Sequence, residues 1–191
     1  MSSTYKNVLF LIADDWSRLA ACYGNEAVKT PRIDAFARTG VVFDNAFCTS
    51  PSCAVSRACI LTGQHSHTHG QYGHCHGIHN FHTGGHMPSI TKTLTDAGYA
   101  AGIIGKMHVQ PESVYPWTHD FQNVEGSSRN PKGMADRARE FFERVGDRPF
   151  YLHMGFSDPH RDFGNRQGYP DYDEVTYDPG EMPVPDFLPE S

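Results

Sequence analysis

No apolar run in the sequence is long enough to cross a bilayer. The longest near the start is residues 8–13, far short of the ~20 residues a helical span needs. A cleavable leader is also missing from view, since only residues 1–7 precede that run and no small-residue cleavage site follows it. The expected location is the cytoplasm as the sequence stands, or export if a leader precedes it. Positive charge is in short supply: Lys plus Arg is 16 against 22 for Asp plus Glu, a net charge of −6. That balance argues against a general nucleic-acid-binding surface. It leaves room for a local pocket of Arg, Lys and His that holds an anion. Cysteines number 5, an odd count, and none form a C-x-x-C pair. A disulfide framework is therefore not indicated, and a single special cysteine becomes worth seeking.

Hydrophobic residues at 38% and charged residues at 20% fit one globular domain, or one large piece of a bigger one. Residues 7–13 read as a strand buried on both faces, because Val8, Leu9, Phe10, Leu11 and Ile12 are continuous and apolar. Thr30-Pro31 looks like a helix start, with Ile33, Phe36 and Ala37 as the apolar face. Residues 41–47 are a further strand candidate. Residues 56–62 read as a short helix closed by Gly63, and residues 65–86 as loop. Residues 89–97 form a helix closed by Gly98, and residues 100–104 a buried strand. Residues 133–145 carry Met134, Ala138, Phe141, Phe142 and Val145 on one helical face. Residues 150–155 are the last strand. From Asp171 onward the chain is rich in Pro and acidic residues and has no period. Strands alternating with helices predict an α/β fold, a sheet sandwiched between helices. The polar clusters fall at strand ends, where open α/β sheets place their sites.

Three clusters carry chemistry. Asp14 and Asp15 end the first strand; adjacent carboxylates repel, and a hard divalent cation would neutralise them, although Asp is also a common turn residue. Cys53 precedes a helix start, where the field favours an anion, and Arg57 lies one turn later. A buried structural cysteine is the plainer reading. Lys106, His108 and His160 each follow a strand candidate.

The run Cys53-Ala54-Val55-Ser56-Arg57, with Leu61-Thr62-Gly63 after it, resembles the signature of the sulfatase family. Gly105-Lys106-Met107-His108 matches the family's second block, and Asp158-Pro159-His160 a later one. Tyr72-Gly73 through Phe81, Asp147-Arg148-Pro149-Phe150 and Tyr177-Asp178-Pro179 are most similar to the heparan N-sulfatase (sulfamidase) type. The resemblance implies an alkaline-phosphatase-like mixed sheet. It implies that residues 1–191 are the N-terminal part of a catalytic domain truncated at its C-terminal end, because the family's further metal-binding Asp-Asn or Asp-His pair, and another basic residue, lie beyond residue 191, and no such pair follows a strand after Pro159. It further implies oxidation of Cys53 to formylglycine by a formylglycine-generating enzyme. One oxygen of the hydrated aldehyde attacks sulfur, and the other later expels sulfate. Asp14, Asp15 and the modified Cys53 would bind Ca²⁺, with Mg²⁺ as the alternative. Arg57, with the metal, would favour the ionised diol and polarise the sulfuryl group, Lys106 and His108 would hold the sulfate and the diol, and His160 would face the leaving group. Val55 departs from the signature, which has Pro or Ala there.

The implied activity is hydrolysis of a sulfate ester or sulfamate on a sulfated carbohydrate resembling N-sulfoglucosamine. The competing readings are a phosphonate or phosphate-diester hydrolase of the same superfamily, and an inactive fragment. Eight of the 12 histidines lie within residues 65–86. Cys75, His76 and His79 have the residue types of zinc ligands, but the resemblance favours His79 and its neighbours as a substrate entrance.

Overall fold

The computed structural model describes residues 6–25, 27–124, 128–160, 178 and 180. The chain divides into two compact units. One comprises Met1–Asp15 and Phe47–Pro170, the other Trp16–Ala46 and Asp171–Ser191.

The first unit is built on a sheet of four strands: β1 (Val8–Asp14), β2 (Ala100–Gly105), β3 (His119–Phe121) and β4 (Phe150–Pro159), in the order β1-β4-β2-β3. All three pairings are parallel. Parallel neighbours need long crossovers: α2 (Cys53–Thr62), α3 (Ser66–His69) and α4 (Ile90–Asp96) lie between β1 and β2, and α5 (Pro131–Val145) between β3 and β4, while the β2–β3 connection carries no helix. Side-chain alternation in β2 sorts the core into two layers. Ala100 and Ile104 pack with Leu152 and Met154 of β4 under Met134, Ala138 and Phe141 of α5. Ile103 faces the other way, into Ala58 and Leu61 of α2, with Met107, Val114 and Tyr115. The sheet therefore has helices on both faces, as expected for an α/β fold.

The second unit pairs a 3-10 turn, Ala21–Tyr23, with α1 (Pro31–Ala37). Asp34 accepts from the Cys22 backbone at 2.9 Å and from the Thr30 hydroxyl at 3.0 Å, tying turn to helix.

Several expectations need correction. β1 is not covered on both faces: Leu9 and Leu11 are 51% and 58% exposed. They share a face with Leu152 and Met154 through the in-register pairing with β4, but α5 contacts β2 and β4, and β1 lies at the sheet edge beyond them. Residues 41–47 form no strand, since β-propensity without a pairing partner does not make one. Ile33 and Phe36 are exposed rather than an inward face. α5 starts two residues before the predicted position, because Pro131 occupies its first turn and the Asn130 side chain accepts from the Gly133 backbone at 3.0 Å. β3 is only three residues long and gives no readable period. The aperiodic tail from Asp171, with Tyr177 and Pro179, lies outside the described residues apart from Asp178 and Gly180.

Candidate active site

Cys53 is the first residue of α2 rather than a residue ahead of it. Ser52 is extended and its carbonyl accepts the first helical bond from Ser56 at 2.8 Å. The helix therefore begins three residues earlier than predicted, and the Cys53 side chain stands at its positive end. Gly63, at φ 66°, closes the other end. Val55 is buried, as are Ala54, Ala58 and Leu61, so the residue that departs from the signature fills the core.

One turn on, Arg57 is 2% exposed. Its Nη1 donates to the Lys106 carbonyl at 2.9 Å and its Nη2 to Asp14 Oδ1 at 3.1 Å. The other oxygen of Asp14 pairs with the Lys106 ammonium. Lys106 Nζ is also 3.7 Å from Cys53 Sγ, and Cys53 Sγ lies 3.5 Å from Asp14 Oδ2. Burial disfavours the Asp14 carboxylate, yet Lys106 and Arg57 outweigh burial and hold its pKa below the ordinary value. The Cys53 thiol is pushed up by burial and by Asp14 and Asp15, against the pull of Lys106. A thiol raised in this way is a weak nucleophile at neutral pH.

The backbone makes this packing possible. Lys106 donates its N–H to the Gly155 carbonyl at 2.8 Å, extending the β2–β4 pairing one residue past the strand end. A Cβ on Gly155 would collide with the Lys106 carbonyl and press on Arg57 Nη1. Asp15 follows Asp14 with φ 57°, a left-handed conformation that Asp tolerates better than most residues. Its side chain is exposed, with His160 Nε2 3.8 Å away. One donor atom each from Asp14, Cys53 and His160 lies within 4.8 Å of the others. Six of the seven predicted site residues thus converge: Asp14, Asp15, Cys53, Arg57, Lys106 and His160.

The seventh, His108, lies against a different group. Its ring stacks on His74 and His76, and its pKa is pushed down to about 4 by burial first, then by Lys106 and the two neighbouring histidines. Sequence reading passed over His74; its spacing of two from His76 was the available signal. It also missed Arg129, which precedes α5. Arg129 pairs with Asp158 and donates to the His160 carbonyl at 2.7 Å, fixing the backbone that carries His160. Cys75 and His79 do not join His76 as one ligand set: Cys75 Sγ donates to the His108 carbonyl at 3.6 Å, and His79 is exposed.

Comparison with known proteins places this geometry among relatives. A family model described as Sulfatase matches residues 6–183. Human N-sulphoglucosamine sulphohydrolase is 37% identical over 205 aligned residues, covering 96% of this chain and 41% of that protein. An N-acetylglucosamine-6-O-sulfatase of Bacteroides thetaiotaomicron is 32% identical, covering 82% of this chain and 31% of that protein. Among solved structures, a protein in complex with its substrate D-glucosamine-2-N,6-O-disulfate superposes with a TM-score of 0.68 at 25% identity, covering 84% of this chain and 36% of that one. The chain therefore spans less than half the length of these relatives.

Proposed function

The chain belongs to the sulfatase family, and on that premise we propose that it is the nucleophile-bearing part of a hydrolase that cleaves sulfate esters or sulfamates on a sulfated sugar. The observation that carries the reading is the position of Cys53: first in α2, 3.7 Å from the Lys106 ammonium, with Arg57 one turn behind it. Supporting it are relatives whose names specify N-sulphoglucosamine and N-acetylglucosamine-6-O-sulfate chemistry.

In this reading Cys53 is converted to formylglycine, which replaces a poorly ionised thiol with a hydrated aldehyde. That diol supplies an oxygen to form the bond to sulfur, and a second hydroxyl whose deprotonation later releases sulfate and restores the aldehyde. Asp14 and Asp15 offer carboxylate oxygens beside residue 53, a donor set that fits one side of a hard cation such as Ca²⁺ or Mg²⁺. Such an ion, when bound, would polarise the sulfuryl group.

The chain's own residues do the rest. Arg57 and Lys106 keep Asp14 ionised. Lys106, aimed at residue 53, opposes negative charge gathering on sulfate oxygens, which is the kind of preorganised stabilisation that usually dominates catalysis. His108 follows Lys106 on the same segment with its ring stacked on His74 and His76, and is the candidate for a further donor to those oxygens. His160, held by Arg129 through its carbonyl, delivers a proton to the departing nitrogen or oxygen.

The test is the mass of the peptide spanning Cys53, taken from protein co-produced with a formylglycine-generating enzyme. Replacement of the thiol by an aldehyde is expected. A fully unmodified Cys53 under those conditions overturns the formylglycine reading.

A further inference from the structure

We propose that His74, His76 and His108 form a second metal site, for a borderline transition-metal dication such as Zn²⁺, next to the carboxylate cluster. One donor atom from each of the three lies within 4.8 Å of the other two. Their rings stack pairwise, with centroids 4.9, 5.1 and 5.2 Å apart. Simple packing of the three imidazoles leaves buried polar atoms unpaired. Nδ1 of both His74 and His108 is buried with no hydrogen-bond partner among the described residues. Buried polar nitrogens are normally satisfied; a shared ion would satisfy both.

The surrounding backbone holds the three together. His108 sits at φ 61°, a conformation uncommon for residues other than glycine. The Cys75 thiol, between the other two histidines, donates to the His108 carbonyl at 3.6 Å. His74 and His76 are two apart in the same loop, so their rings can lie on one side of it. His76 is exposed, which gives the ion a way in and gives that ring freedom to turn. Zinc–nitrogen bonds of about 2.0–2.1 Å bring tetrahedral donors to roughly 3.3 Å from each other. Small rotations of the three rings about their side-chain bonds would bring the donors to that spacing.

The donor type sets the ligand class. Three nitrogens and no carboxylate select Zn²⁺, Cu²⁺ or Ni²⁺ over Ca²⁺ or Mg²⁺, which prefer oxygen. Three protein ligands also leave a fourth position open. The site itself is independent of the proposed function. Its consequence rests on that reading: an ion on His108 withdraws the ring from the sulfate, so metal and substrate compete.

The experiment is a Zn²⁺ titration of the full chain by calorimetry, with Ca²⁺ in excess. It is repeated on His74→Ala, His76→Ala, His86→Ala and Cys53→Ala. Cys53→Ala is included because the Asp14, Cys53 and His160 cluster offers a sulfur that zinc could also use. Circular dichroism checks that each variant folds; His76 is exposed, so its removal leaves the core alone. The expected result is one Zn²⁺ site that survives Ca²⁺, Cys53→Ala and His86→Ala. Its affinity falls at least about 10-fold in His74→Ala and in His76→Ala. Unchanged affinity in His76→Ala, or loss of the site in Cys53→Ala, overturns the proposal. The peptide mass at residue 53 is unaffected by either outcome, so failure here and failure of the sulfatase reading remain distinguishable.

Discussion

Arg57 reaches from the second turn of α2 to the carbonyl oxygen of Lys106, 2.9 Å away at the end of β2. The same guanidinium holds Asp14 at the end of β1 at 3.1 Å. One buried side chain thus ties the helix that begins with Cys53 to two separate strand ends. Removing it leaves Asp14 with Lys106 as its one ion-pair partner among the described residues and leaves the Lys106 carbonyl without its guanidinium donor. Arg57→Met is expected to destabilise the chain by roughly 3–5 kcal/mol, the usual cost of breaking one side of a buried ion pair. Arg57→Lys should recover only part of this, since an ammonium lacks the planar fork that serves two acceptors. Urea unfolding of the two variants measures both.

Gly155 is required by close approach rather than by flexibility. A methyl group there meets the Lys106 backbone, which cannot swing aside as a side chain can. Gly155→Ala is expected to cost about 1–3 kcal/mol and to displace Lys106 from Cys53. A melting curve measures the first effect, and the pH profile of Cys53 alkylation the second.

That profile also reports the charges around Cys53 in the unmodified chain. Lys106 pulls the thiol pKa down, while Asp14 pushes it up. Lys106→Met should move Cys53 alkylation to higher pH and Asp14→Asn to lower pH, read by mass spectrometry of the Cys53 peptide. Shifts in the same direction for both variants would contradict the arrangement.

Acid sensitivity has a definite sign. His153 is buried beside Phe10 and Trp117, and burial, followed by Arg57, depresses its pKa to about 3. The unfolded state, with a histidine pKa of ~6.5, takes up the proton first. Stability is therefore complete above about pH 6.5 and is lost as pH falls toward 3, by about 2 kcal/mol at pH 5. Asp14 has a depressed carboxylate pKa, so its contribution is lost only at lower pH, beneath the ordinary carboxylate value. Between pH 7 and 5 the histidine effect wins. His153→Gln should reduce the pH dependence of the urea midpoint in that window, leaving the part that His108, also depressed, contributes.

The exposed edge of β1 has a consequence for handling the chain. Leu9 and Leu11 present an apolar face on an edge strand, a common route to self-association. Leu11→Lys is expected to lower the apparent mass seen by light scattering at high concentration while leaving the melting temperature within a few degrees.

The sequence by itself determined β1, β2 and β4 and marked the candidate residues that lie in contiguous motifs. The apolar runs in β1, β2 and β4 are nearly unbroken, and the signature around Cys53 and the Gly105-Lys106-Met107-His108 block are contiguous, so local reading finds them. The period of α5 was equally plain, because its buried residues recur with the helical repeat. Tertiary structure decided what local patterns cannot encode. β1 lies at the edge, so its hydrophobicity does not mean burial. Residues 41–47 stay irregular, because a strand exists only with a partner. The α2 start depended on where Ser52 turns extended, and that moved Cys53 onto the helix. The meeting of Arg57 with the Lys106 carbonyl spans 49 residues, and that of Cys75, between His74 and His76, with the His108 carbonyl spans 33. Such contacts are set by crossovers of the parallel sheet, which bring strand ends and a distant loop to one place; no periodicity in the chain records them.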